Sequence, residues 1–146
     1  MPDYRRARVP GATYFFTVNL RDRTSDLLIR EIDLLRETVR ATRSRHPFHI
    51  DAWVVLPEHM HCLWTLPPGD ANFALRWKVI KFAFAKRLPI TETLAANQKR
   101  RGERGIWQRR YWGHLILIVP TLRVGMQPST LCVDNQQVAR KPRNGG

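Results

Sequence analysis

The alternation of apolar and polar positions is sharpest between Trp53 and Trp64, where WVVLPEHMHCLW reads as an apolar strand, a Pro57-Glu58 turn and a second strand. Successive strand residues point to opposite faces, so His59 and His61 share one face and Met60, Cys62 and Trp64 line the other. The same period of two runs through residues 12–21 (ATYFFTVNLR), with Phe16, Val18 and Leu20 in step; Phe15 and Phe16 are both expected in the core. The period then changes. Ile29, Ile32, Leu35 and Val39 recur every three to four residues and predict an amphipathic helix over 28–45, ended by His46-Pro47. Strands follow at 48–56 and 59–66, then the breaker Pro67-Pro68-Gly69. Asp70 or Asn72 is placed to cap a second helix over 73–88, whose expected apolar stripe is Leu75, Val79 and Phe82, with Ala83 beside them. Residues 89–105 read as a basic loop and IWQRRYW at 106–112 as a fourth strand.

Strand, helix, strand, strand, helix, strand is the order of an α+β, ferredoxin-like fold: a four-stranded antiparallel sheet with both helices on one face. If the helices cover Met60, Cys62 and Trp64, the histidines lie on the opposite, open face. Two imidazoles two residues apart on a strand can share one divalent metal, although a His-x-His pair by itself is more often structural or merely solvated.

Composition sharpens this picture at one point. The 146 residues suit a single domain, and 25 Lys and Arg against 12 Asp and Glu leave a net charge of +13. That charge is local: residues 1–75 hold 10 basic and 9 acidic side chains, whereas residues 76–110 hold 11 and 2. Such a stretch favours a surface that tracks phosphates. Arg76, Lys78, Lys81, Lys99, Arg100 and Arg101 are its candidate contacts, with Tyr4, Arg5 and Arg6 in an N-terminal arm over residues 1–11. Two cysteines make no disulfide framework, the opening is polar and arginine-rich, and the longest aliphatic run (115–119) is too short to span a bilayer. A soluble cytoplasmic protein with no membrane partner is expected.

YRR at 4–6, GATYFFTVNLR at 11–21, AWVVLPEHMHCLWTLPPGD at 52–70, RWKVIK at 76–81 and IWQRRYW at 106–112 together resemble the REP-associated tyrosine transposases, within the HUH class of single-strand endonucleases. The resemblance covers residues 4–115 and implies a transposase-like domain over 1–115. His59-Met60-His61 stands at that family's His-hydrophobic-His position, which implies a Mg2+ or Mn2+ cofactor held by His59 and His61. Imidazole ligands favour manganese of the two. It further implies a partner, single-stranded hairpin DNA of the repetitive extragenic palindrome type. The implied reaction is DNA transposition, by metal-assisted attack of a tyrosine hydroxyl on a phosphodiester to leave a phosphotyrosine.

The resemblance ends abruptly. Gly113 replaces an expected acidic residue, and residues 116–146 carry scattered prolines and glycines without helical period. The expected helix with its nucleophilic tyrosine and third metal ligand has no counterpart. Tyr4, Tyr14 and Tyr111 are the chain's three tyrosines, and none matches the nucleophile's position. These observations predict a truncated or frame-altered member with an irregular C-terminal tail and impaired cleavage. A naturally divergent tail is the alternative for the sequence. For function, the alternatives are a non-catalytic module that binds hairpin nucleic acid and a remnant that does not fold stably. An RNA role has weak support, because the aromatic sheet motif of RNA-recognition domains is absent.

Overall fold

The computed structural model describes residues 7–90, 99–102 and 104–117. Strand β1 (Thr13–Asn19) leads to a single helical turn α1 (Leu27–Arg30) and helix α2 (Ile32–Arg45). Strands β2 (His49–Val55) and β3 (His59–Thr65) form a hairpin, followed by helix α3 (Phe73–Arg87) and strand β4 (Trp112–Ile116). The order across the sheet is β2-β3-β1-β4 and every pairing is antiparallel. This is the ferredoxin-like arrangement that the element order implies.

The core lies between one sheet face and the helices. Tyr14, Phe16 and Val18 of β1 and Met60, Cys62 and Trp64 of β3 are buried, together with Leu35, Trp77, Ile80 and Phe84 of the helices. Trp64 and Trp77 stack at 4.4 Å between ring centroids, and Phe16 meets Trp77 edge-on at 5.5 Å. The parity expected of β3 is the parity observed.

Four details differ from expectation. The first helix is interrupted at Glu31, and Leu28 rather than Ile29 is buried. In α3 the inward stripe is Phe73, Trp77, Ile80 and Phe84, while Leu75 and Phe82 are exposed. Both faces of that helix carry apolar residues, and the one with more aromatic surface to bury faces the sheet. The fourth strand starts at Trp112 rather than at Ile106. Residues 106–111 instead form a strap against α3: the Trp107 indole donates to the Lys81 carbonyl (3.0 Å), and Lys81 Nζ donates to the Gln108 carbonyl (2.7 Å). Finally, Phe15 lies on the open face and only Phe16 in the core, as strict alternation requires.

Candidate functional site

Register places the histidines. His59 pairs with Asn19 and His61 with Thr17 across β1 and β3, so both rings stand on the open face beside the end of β1. The turn before them is fastened from two sides: the Leu20 N–H donates to the Glu58 carbonyl (2.8 Å) and the Leu28 N–H to the Pro57 carbonyl (3.2 Å). The two imidazole centroids are 5.0 Å apart and their planes nearly perpendicular, at 81°.

Each ring has one nitrogen engaged. His59 Nδ1 lies 2.9 Å from Glu58 Oε1, and His61 Nδ1 lies 2.9 Å from Thr17 Oγ1. Phe15 stacks on His61 at 5.7 Å and 15°. Partial burial, then the neighbouring His59, lowers the pKa of His61, which favours the neutral imidazole a metal needs. Glu58 is held below its ordinary value although partial burial pushes the other way; its own backbone amide and His59 favour the carboxylate, with Arg23 assisting at 3.8 Å. The donor set therefore fits a divalent ion as two imidazoles whose Nδ1 atoms are engaged and whose Nε2 atoms make no hydrogen bond among the described residues. Among the described residues no group of three or more His, Cys, Asp or Glu converges as a complete metal site.

β4 extends the open face. Trp112 is 61% exposed and stacks on His114 at 6.4 Å and 11°, while Gly113 is buried opposite Phe16 on the covered face. Sequence reasoning missed Trp112 and His114 because it started the strand six residues early. It missed Thr17 and Glu58 because cross-strand register is not visible in one sequence, although Phe15's parity is.

The basic candidates divide. Arg76 is not a phosphate contact: it is 2% exposed, and its guanidinium donates to the carbonyls of His46 (3.3 Å), Pro47 (2.6 Å) and Asn72 (3.0 Å) and to Asp70 Oδ2 (2.7 Å). It clasps the end of α2 to the start of α3, and its hydrogen bond holds the Asp70 carboxyl below its ordinary pKa. Asn72, not Asp70, caps α3, accepting from the Leu75 N–H at 3.1 Å. Lys81 is half-buried against the strap, to whose Gln108 carbonyl it donates, whereas Lys78, Lys99, Arg100 and Arg101 are exposed. Lys78 and Lys81 belong to α3 and so to the helix layer, across the sheet from the histidines. Tyr4, Arg5, Arg6 and residues 118–146, on which the expectations about the arm and tail rest, lie outside the described residues.

Tyr14 and Tyr111 are both committed elsewhere. The Tyr14 ring is buried, and its hydroxyl donates to the Val9 carbonyl (2.9 Å) and accepts from the Val9 N–H (2.6 Å). Tyr111 packs against Phe16 and Trp77 on the covered side.

Comparison with known proteins places these features in company. No protein-family model matches the chain. It is 46% identical over 116 residues to a REP-associated tyrosine transposase of Escherichia coli K12, covering 80% of this chain and 62% of that protein. A Haemophilus influenzae relative given the same family name is 40% identical over 117 residues, covering 80% and 66%. A solved REP-associated tyrosine transposase bound to a REP hairpin superposes with a TM-score of 0.66 at 44% identity, over 82% of this chain and 64% of that one. A transposase-like protein of Deinococcus radiodurans, 18% identical with a TM-score of 0.52, covers 81% of this chain and 87% of its own and shares the fold. The chain spans less than two thirds of the length of the curated relatives it matches. No helix among the described residues is long and apolar enough to cross a membrane.

Proposed function

Because its aligned region belongs to the REP-associated tyrosine transposases, we propose that the chain binds single-stranded hairpin DNA of the repetitive extragenic palindrome type and offers a backbone phosphate to the His59–His61 pair. The observation that carries this is the paired imidazoles on an open sheet face, each with Nδ1 hydrogen-bonded. His59 and His61 would hold Mn2+ or Mg2+, which would supply Lewis-acid polarisation of the phosphodiester. Phe15 and Thr17 orient His61, Glu58 orients His59, and the stacked Trp112–His114 pair offers a flat surface for a base beside them. Lys78 and the Lys99–Arg101 cluster neutralise phosphates on the hairpin, so binding weakens with salt by a log-log slope of about −0.7 per contact on a single strand.

Attack on the phosphate needs a tyrosine hydroxyl near the pair. Among the described residues the tyrosines, Tyr14 and Tyr111, lie on the covered side, which supports impaired cleavage and favours, as a second reading, a non-catalytic hairpin-binding module; Tyr4 lies outside the described residues. Without a positioned nucleophile the proximity advantage, up to about 7 to 11 kcal/mol, is lost. The free, buried Cys62 suits a reducing cytoplasm.

The test is a labelled hairpin incubated with the chain and Mn2+, run on native and denaturing gels. A shift on the native gel with no covalent band is expected. A covalent protein–DNA band overturns the impairment, and the absence of a native shift overturns hairpin binding.

A further inference from the structure

We propose that Glu58 and Thr17 are positioning residues that lock both imidazoles into one tautomer, proton on Nδ1, so that Nε2 of each ring is the nitrogen presented to a ligand. The proposal deepens the metal reading of His59 and His61 and rests on it for its consequence, though not for its geometry.

An ionised carboxylate only accepts hydrogen bonds, so Glu58 Oε1 at 2.9 Å from His59 Nδ1 fixes the proton on that nitrogen and leaves the Nε2 lone pair free. A hydroxyl can donate or accept, and Thr17 Oγ1 at 2.9 Å from His61 Nδ1 satisfies the same tautomer by accepting. Neither partner is placed by chance. Thr17 is directly cross-strand from His61, so its hydroxyl is carried by the sheet register itself. Glu58 is seated by its own carbonyl, which accepts from the Leu20 N–H. Arg23 flanks the Glu58 carboxylate at 3.8 Å and donates to Asn19 Oδ1 at 2.9 Å, joining it to the end of β1. Phe15, stacked on His61, fixes the plane of the second ring. Partners of this kind, on the far nitrogen of a metal-bound imidazole, typically contribute 10- to 100-fold in metal affinity.

The experiment joins nitrogen-15 NMR of the histidine rings in the metal-free chain with Mn2+ titration followed by electron paramagnetic resonance. Wild type is expected to show the Nδ1–H tautomer at both rings. Glu58→Ala should shift His59, and Thr17→Val should shift His61, toward mixed tautomers, each weakening Mn2+ about 10- to 100-fold. Glu58→Gln and Thr17→Ser, which keep an acceptor oxygen, should restore the ring signals and most of the affinity. Unchanged ring signals in Glu58→Ala and Thr17→Val overturn the proposal, as do shifted signals with wild-type Mn2+ affinity. If wild type binds no Mn2+ while His59 and His61 keep the Nδ1–H form, the metal reading fails alone; the tautomer lock still stands or falls on the alanine and valine variants.

Discussion

The two faces of the sheet are built from alternate residues of the same strands and share almost nothing else. On the covered face Phe16, Trp64 and Trp77 interlock with no more than 0% exposure each, and Phe48 closes on Trp64 at 4.2 Å. On the open face Phe15, Thr17, His59 and His61 are partly buried, and they meet through hydrogen bonds and one ring stack. Stability is concentrated on the first face and chemistry on the second, because apolar burial rewards area whereas a ligand site needs uncommitted donor atoms. A shift of one residue along β1 crosses from one regime to the other.

The sharpest way to break that division is to truncate neighbours. Phe16→Ala should cost about 3 to 5 kcal/mol in urea unfolding, and Phe15→Ala about 1 kcal/mol; equal losses would erase the distinction. Next comes Arg76→Ala. Removing one partner of a buried ion pair strands its acceptors, so about 3 kcal/mol of stability should be lost while the salt dependence of hairpin binding keeps its slope. The triple change Lys99→Ala, Arg100→Ala and Arg101→Ala should do the reverse, lowering the slope by about 2 without moving the melting curve. His59→Ala or His61→Ala should abolish Mn2+ binding in the same titration at a stability cost below about 1 kcal/mol.

The smallest effect concerns acid. Asp70 has its carboxyl pKa lowered chiefly by the Arg76 hydrogen bond, then by the Asn72 amide, from an ordinary value of 3.8. The unfolded chain therefore takes up the proton first as pH falls. The Asp70 contribution is complete above pH 3.8 and disappears as pH drops through the lower folded value. Asp70→Asn should flatten that acid limb of stability by a fraction of a kcal/mol, since the carboxylate is one third exposed. An unaltered limb would separate Asp70 from the clasp.

Much of this division can be read along the chain. HMHCLW states which residues of β3 are covered, and the element order gives the sheet. Arg76 could not be read: on a helix with Lys78 and Lys81 it resembles another solvated cation, and the carbonyls that bury it come from His46 and Pro47, 30 and 29 residues earlier. The stripe of α3 was ambiguous because Leu75, Val79 and Phe82 keep helical spacing as well as Phe73, Trp77, Ile80 and Phe84 do. The strap at 106–111 imitates a strand because its aromatics pack on α3 instead of alternating across the sheet. Thr17 and Glu58 became site residues only through register.

Cys62 gives the covered face an internal clock. Burial pushes its thiol pKa far up, and a protonated sulfur sealed beneath the helices resists alkylation. A reagent gains access only when sheet and helix layer part, so the slow labelling of this one sulfur counts whole-domain openings rather than local breathing. Any ligand that grips the opposite face and stabilises the fold should slow that count, reporting its own binding through a residue it never touches.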